Sequence, residues 1–379
     1  MICAVEASAD ALGADLITAL RERLPDAKFF GCGGAAMQAA GLDSIFSIDR
    51  FSIIGPIGAL RALPAAMTAS SELAALAVRE KPDCAVFIDA WSFSKMAAEK
   101  LKNSSPETKL YKYVAPQVWA SRPKRAEKLG QLFDGVMTLF NFEPRWFEPH
   151  GVKAQFVGHG GFHNAKIAAN QSSAFRADYA VGDAPVLAVL PGSRPAEIAR
   201  LMDLFRKVAM DAVAAVPNLR IAVCAANSVE PIVQERIQTW PAGTIVAPAA
   251  RRYQLFGAAD AALAASGTVT TELAIFNTPM IVAYRIDPLS AFWARRVLTI
   301  EYVSMINIAA GQEVVPEFLQ EDCTREKIAP ALLKLLTNKD VADEQWQAFS
   351  KLTQMLGAVE TPPAETAAET LINWAGLSR

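Results

Sequence analysis

The stretch AASGTVTTELAIFNTPMIVAY, residues 264–284, decides how this chain is read. The apolar run 261–265 has the length and composition of a buried strand, and it stops at Ser266-Gly267-Thr268. Residues 270–276 then read as a helix, Asn277-Thr278-Pro279 breaks it, and 280–284 is a second buried strand. A strand, a small-residue turn and a helix N-terminus make a ready anion site, because free backbone N–H groups point at whatever fills the turn. Gly267 admits close approach of a ligand to the backbone, while Ser266 and Thr268 offer hydroxyls. Glu272, in the first turns of the helix, offers a carboxylate to a sugar diol. An ordinary βαβ turn with a capping Ser or Thr fits the same residues, and both readings stand on this stretch alone.

The pattern repeats outward in both directions. Upstream, the strand 186–190 runs into Pro191-Gly192-Ser193-Arg194-Pro195 and a helix. Arg194, at a Gly-Ser turn before a helix, suits a bidentate grip on phosphate. Further strands are expected at 219–225 and 244–247, and from residue 324 the pattern is helical. In the first half, a strand at 1–5 turns through Glu6-Ala7-Ser8-Ala9-Asp10 into a helix ending at Arg23. A strand at 28–34, rich in glycine, precedes a helix at 35–40, and 68–79 is another helix. The strand 84–88 delivers Asp89 at its C-terminal end, the strand 110–114 leads into Ala115-Pro116, and 135–140 is a further strand.

Strands alternating with helices imply doubly wound parallel sheets, which bind ligands at the carboxyl ends of their strands. Glu6, Gly33, Asp89 and Pro116 hold such positions. The segment 160–184, rich in Ala, Asn and Ser, reads as a linker. The expected organisation is an acceptor-binding α/β domain over 1–165, a nucleotide-binding α/β domain over 166–345, and helices over 346–379 that pack back on the first domain. Two such domains facing one another across a cleft suit a donor in one and an acceptor in the other.

The totals agree with this. A chain of 379 residues exceeds one typical core and implies two domains. A hydrophobic content of 52% with 20% charge describes a packed globular protein. A net charge of -2 gives no nucleic-acid signal. The five cysteines are scattered, the histidines number three, and no pair has metal-ligand spacing, so reduced core thiols and no metal site are expected. No apolar run reaches the roughly 18 residues of a membrane span. Glu6 and Asp10 interrupt the start, so no signal peptide is read. The run FSIIGPIGAL, residues 51–60, suits either a membrane-surface contact or a buried loop and helix start.

A set of landmarks then falls into a specific order. They are Glu6-Ala7-Ser8 with Asp10, Phe87-Ile88-Asp89-Ala90, Pro116 with Val118-Trp119-Ala120, Arg122-Pro123-Lys124-Arg125 and Gly158-His159. Leu190-Pro191-Gly192-Ser193-Arg194 with Glu197 and Ala265-Ser266-Gly267-Thr268 with Glu272 follow. Thr278-Pro279-Met280, Tyr284-Arg285, Tyr302-Val303-Ser304 with Asn307, and Gly311 with Glu313-Val314-Val315-Pro316 complete the set. Over nearly its whole length the chain resembles the lipid-A-disaccharide synthase family, inverting glycosyltransferases of the two-domain GT-B type.

The resemblance implies transfer of 2,3-diacylglucosamine from UDP to the 6-hydroxyl of 2,3-diacylglucosamine 1-phosphate (lipid X), giving a β-1,6-linked disaccharide 1-phosphate and UDP. It places Ser193 and Arg194 near the UDP phosphates, Ser266, Gly267 and Thr268 at the helix N-terminus, Glu272 toward ribose and Asn307 near the donor. Asp89 is implied as general base, with Glu6 as a second catalytic candidate. UDP-sugar is a substrate, and neither a cofactor nor a metal is implied. A peripheral protein at the cytoplasmic face of the inner membrane of a Gram-negative bacterium is implied, and homo-oligomerisation is left open. The basic residues Arg122, Lys124, Arg125 and Lys128 suit either a solvated face or contact with lipid phosphate.

Several residues depart from the family pattern. Val5 and Ala9 stand at glycine positions, Trp91-Ser92-Phe93 replaces Pro-Asp-Phe, Gly58 a Glu, Ala115 a Ser, Ser121 a Trp and Gln312 an Arg. They cluster in the first half and point to an altered acceptor or acyl-chain preference, or to reduced activity. The rivals are a catalytically altered or non-catalytic UDP-sugar-binding paralogue, and another UDP-sugar enzyme of the same architecture such as an epimerase. The landmarks around Trp119 and Asn307 argue against the epimerase.

Overall fold

The computed structural model describes residues 1–48, 56–169 and 174–377. The chain divides into two compact units, Met1–Gly160 with Thr361–Arg379, and Gly161–Glu360. Each is built on one all-parallel sheet.

The first sheet holds β1 (Ile2–Cys3), β2 (Phe30–Cys32), β3 (Asp43–Ser44), β4 (Cys84–Ile88), β5 (Lys109–Tyr113), β6 (Gly135–Thr138) and β7 (Lys153–Phe156). Their order is β3-β2-β1-β4-β5-β6-β7. β4 shows why the sheet is covered on both faces. All five of its residues are buried. Ala85 and Phe87 join one apolar cluster while Cys84, Val86 and Ile88 join another, as the period of two demands. Asp10 ties the first helices together, because its carboxylate accepts from the N–H groups of Gly34, Ala36 and Met37 at 2.7, 3.0 and 3.1 Å. It therefore caps the helix Ala35–Ala39.

The second sheet holds β8 (Val186–Leu190), β9 (Arg220–Cys224), β10 (Ile245–Ala247), β11 (Ala261–Ala264), β12 (Met280–Tyr284) and β13 (Glu317–Leu319), in the order β10-β9-β8-β11-β12-β13. In both sheets the winding reverses beside the unit's first strand, between β1 and β4 and between β8 and β11. That reversal opens a crevice at the carboxyl ends of the two strands.

The expected boundaries need correction. Residues 160–184 are not a structureless linker. They hold the helices Gly160–Ala169 and Phe175–Asp178, with Phe162, Ala165 and Phe175 buried; alanine-rich chain favours helix. The helix Lys339–Met355 belongs to the second unit, where the Gln345 side chain bonds both the N–H and the C=O of Met280 at 2.8 and 3.1 Å. Only the helix Pro363–Ala375 returns to the first unit, packing Ala367, Ala368 and Leu371 beside Leu16, Ile17 and Leu20 of the helix Ala7–Arg23. The strands β3, β7 and β13 were not anticipated. The expected membrane-contact run 51–60 lies outside the described residues up to 55, and the rest opens the helix Pro56–Glu80. Among the described residues no helix is long and apolar enough to cross a membrane.

Candidate functional site

In the second unit the crevice between β8 and β11 is a cavity of about 650 Å³. Ser193, Arg194, Ser266, Gly267, Thr268 and Glu272 all line it, joined by Glu197, Arg252 and Tyr284. The turn after β8 requires glycine. Gly192 has φ +119°, and a Cβ there would lie 2.5 Å from Glu197 Oε2. The backbone N–H of Ser193 donates to Glu197 Oε2 at 2.8 Å and that of Arg194 to the same oxygen at 3.2 Å. Tyr284 donates its hydroxyl to Glu197 Oε1 at 3.1 Å. Glu197 thus caps the helix Pro195–Ala215, and the Arg194 side chain, 76% exposed, makes a loose ion pair with Glu197 Oε1 at 3.6 Å.

After β11, Gly267 has φ +153° and an added Cβ would meet nothing within 4 Å. Its backbone is open to the cavity. Ser266 donates to the carbonyl of Val303 at 3.1 Å, and Thr270 donates to that of Gly267 at 2.9 Å, which holds the turn. Glu272 sits within a small polar network. Arg252 Nε is 3.4 Å from its Oε2, and the Tyr253 hydroxyl donates to Oε1 at 3.3 Å. Burial pushes the Glu272 carboxyl up, opposed by the Arg252 charge. The Arg252 guanidinium lies 4.2 Å from the centre of the Tyr253 ring.

Asn307 corrects an expectation. It is fully buried and does not line the cavity. Its Nδ2 donates to Val315 O and Glu317 Oε1, both at 2.8 Å, and its Oδ1 accepts from the N–H groups of Val314 and Val315 at 2.8 and 3.0 Å. Those four bonds use the whole capacity of the amide. Glu317 also accepts from the N–H groups of Val303 and Ser304. Asn307 therefore braces the loop that holds Ser266 and leaves no group for a donor sugar.

In the first unit the crevice between β1 and β4 brings Glu6 and Asp89 to adjacent strand ends. Glu6 starts the helix Ala7–Arg23. Partial desolvation, then the like charge of Asp89, push its carboxyl up. Asp89 and Ala90 both take left-handed backbone, φ 48° and 41°, and Val114 at the end of β5 has φ 69°. Such conformations cost on the order of 1–3 kcal/mol each and cluster at functional sites. Beneath Asp89 lies Lys112, fully buried in β5. Burial pushes its ammonium down to about 7, against the opposing influence of Asp89 and Glu6. Val5 and Ala9, which replace family glycines, are not among the positive-φ residues, so neither position needs a glycine backbone here.

Nearby, Trp119 donates to Glu143 Oε1 at 3.1 Å, and Glu143 Oε2 accepts from Leu139 and Phe140 N–H, each at 3.1 Å. Burial pushes Glu143 up to about 7. His159 stacks on Phe140 at 6.3 Å, and burial pushes its imidazole down to about 4. The Arg122 to Lys128 cluster is mostly exposed, with Lys128 paired to Glu99 at 3.0 Å. Sequence reasoning missed Lys112, Arg252 and Tyr253. An arginine pair opening the turn after β10 was a visible signal for the last two; Lys112 gave none beyond a lysine inside an apolar strand.

Comparison with known proteins gives a consistent result. A family model described as lipid-A-disaccharide synthetase matches residues 1–371. The chain is 36% identical over 374 residues to a lipid-A-disaccharide synthase of Rhodospirillum centenum, covering 98% of this chain and 93% of the other. It is 34% identical over 375 residues to that of Hydrogenovibrio crunogenus, covering 98% of each. Among solved structures, the UDP-GlcNAc 2-epimerase of Methanocaldococcus jannaschii in complex with UDP-GlcNAc and UDP superposes with a TM-score of 0.56 at 12% identity, covering 96% and 97%. The calicheamicin glycosyltransferase CalG4 does so with a TM-score of 0.56 at 14% identity, covering 99% and 96%. At that identity these two speak for the fold alone.

Proposed function

This chain belongs to the lipid-A-disaccharide synthase family, glycosyltransferases of lipid A biosynthesis, and from that premise we propose that it condenses UDP-2,3-diacylglucosamine with lipid X. The observation that carries the proposal is the placement of the candidate residues at both sheet reversals, Glu6 and Asp89 in one unit and Ser193, Arg194, Ser266, Gly267 and Thr268 in the other.

The second unit takes the UDP moiety. Arg194 supplies a mobile guanidinium for the diphosphate, and open backbone at Gly267 lets a phosphate oxygen approach. Glu272, oriented by Tyr253 and Arg252, accepts the ribose hydroxyls. In the first unit, Asp89 takes the proton of the acceptor 6-hydroxyl as that oxygen attacks the anomeric carbon of the donor. The bond from that carbon to the UDP oxygen breaks, its electron pair leaves with UDP, and the configuration inverts from α to β. Arg194 and the positive end of the helix Pro195–Ala215 offset the charge that develops on the diphosphate.

We place contact with a membrane surface on the helix Pro288–Val297. Its Phe292 and Trp293 are 50% and 59% exposed, and Arg295 and Arg296 stand beside them. Exposed aromatic rings with arginines suit the interface of an anionic bilayer.

The test is a transfer assay on purified protein with both lipids, detergent and EDTA. Formation of the disaccharide 1-phosphate is expected. Intact UDP-sugar binding by calorimetry without any product would overturn the transferase reading in favour of a non-catalytic paralogue.

A further inference from the structure

Lys112 carries a role that the family match does not assign. Lysine is almost never fully buried unless its ammonium is partnered. Here the side chain is 0% exposed, and its three protons have three partners. They go to the carbonyl oxygens of Phe87 at 3.1 Å, Asp89 at 2.6 Å and Tyr113 at 3.2 Å. The shortest of these grips the peptide that joins Asp89 to Ala90. That peptide sits between two residues in left-handed backbone, φ 48° and 41°. The Asp89 carbonyl also accepts from the Ser94 hydroxyl at 2.7 Å, and the Asp89 N–H donates to Tyr113 at 2.9 Å. The turn that ends β4 is therefore held at its N–H by β5, and at its C=O by Lys112 and Ser94.

Two purely structural alternatives explain less. A lysine is a poor filler for a strand interior, since an apolar residue of the same length would bury at lower cost. A neutral donor would serve the carbonyls but carry no charge. The charged groups that act on Lys112 are Asp89, from the end of β4, and Glu6, from the start of the helix Ala7–Arg23. Burial and the like charge of Asp89 push the Glu6 carboxyl up, and the Lys112 ammonium behind it opposes that rise.

We propose that Lys112 is a positioning residue for the transfer reaction: its ammonium locks the left-handed turn at Asp89 and Ala90 and so fixes the direction in which the Asp89 side chain leaves that turn. This rests on the reading of Asp89 as the base. Lys112 itself never meets the acceptor. It acts through the backbone of the base and through its electrostatic field.

The experiment is a double-mutant cycle of Lys112→Met and Asp89→Asn in the full-length protein, followed by the transfer assay and by calorimetry with UDP. Methionine matches the length of the lysine stem without donors or charge. Lys112→Met is expected to lower kcat about 100-fold with both KM values within about threefold of the unaltered protein and UDP affinity unchanged. Its acid limb of kcat/KM is expected to move up, because the cation that opposes the rise of the Glu6 carboxyl has gone. The double variant is expected to be no slower than Asp89→Asn alone. Independent, multiplying losses would overturn the positioning role. An inactive Asp89→Asn beside a Lys112→Met of normal kcat overturns this inference but leaves the base reading standing. A fully active Asp89→Asn removes the base reading and the inference together. Should Lys112→Met not fold, Lys112→Gln keeps two donors without charge, and it is expected to show the same pH shift with a smaller kcat loss; an unshifted limb there overturns the role of the charge.

Discussion

Glu197 Oε2 accepts the backbone N–H of Ser193 at 2.8 Å, so a carboxylate closes the turn through which β8 enters its helix. The cavity proposed to take the diphosphate is thus lined by an acid already committed to the backbone. Replacing it separates the cap from the ligand. Glu197→Ala is expected to destabilise the second unit by about 1–2 kcal/mol through loss of the helix cap. A urea titration followed by circular dichroism measures this; an unchanged midpoint would show that the cap is dispensable.

Arg194 should behave in the opposite way. Its side chain is 76% exposed and its nearest carboxylate contact, Glu197 Oε1, is 3.6 Å away. Exposed pairs of this kind contribute little to stability. Arg194→Ala is expected to leave the unfolding midpoint in place while weakening UDP binding about 10- to 100-fold. Unaltered UDP affinity by calorimetry would remove Arg194 from the phosphate site.

Asp89→Asn keeps the shape of the base and removes its proton affinity. The expected loss in kcat is about 100- to 10,000-fold, the range of general base catalysis. Binding of UDP, proposed for the other unit, should not change. Turnover at the normal rate would assign the base elsewhere, with Glu6 as the next residue to change.

Glu143 predicts how stability responds to pH. Its folded carboxyl is raised from 4.5 to about 7. Over that interval the unfolded chain ionises while the folded one keeps its proton. Stability is therefore full below about pH 4.5 and falls as pH rises toward 7. At about 1.4 kcal/mol per pH unit the loss is at most about 3.5 kcal/mol. Urea midpoints at pH 5 and pH 7.5 for the unaltered protein and Glu143→Gln measure it. Equal slopes in the two proteins would assign the pH response to other groups.

The exposed aromatics make a separable prediction. Phe292→Ser with Trp293→Ser is expected to reduce co-sedimentation with anionic phospholipid vesicles severalfold and to spare UDP binding. If co-sedimentation is unaffected, this helix is not a membrane contact.

Much of the fold was legible because the central strands are full-length apolar runs. β4, β8 and β12 are buried along nearly all of their length, so composition announces them. The edge strands β3, β7 and β13 have two to four residues and no buried one, so they carry no apolar run, and the alternation of Lys153-Ala154-Gln155-Phe156 in β7 is too short to stand out. The turn residues of the second unit were legible for a local reason: a Gly-Ser-Arg or Ser-Gly-Thr turn takes its geometry from its own few residues. Asn307 was not, because its four partners include Val314, Val315 and Glu317, which only the folded loop brings to it. Lys112 was hidden by the opposite effect. In sequence a lysine on a strand reads as pointing to water, whereas its ammonium reaches the carbonyl of Phe87 in the neighbouring β4 and that of Asp89 just beyond it.

The helix Pro363–Ala375 gives the molecule an order of assembly. The first unit owns both ends of the chain, while the second is a single insertion between them. On a ribosome, residues 161–360 emerge complete and can close their own core. The earlier unit must wait, because Leu16, Ile17 and Leu20 lack their cover until Ala367, Ala368 and Leu371 arrive. The part synthesised first is finished last, and a message cut short near its end would release a sound second unit joined to a first unit with one face of its core bare.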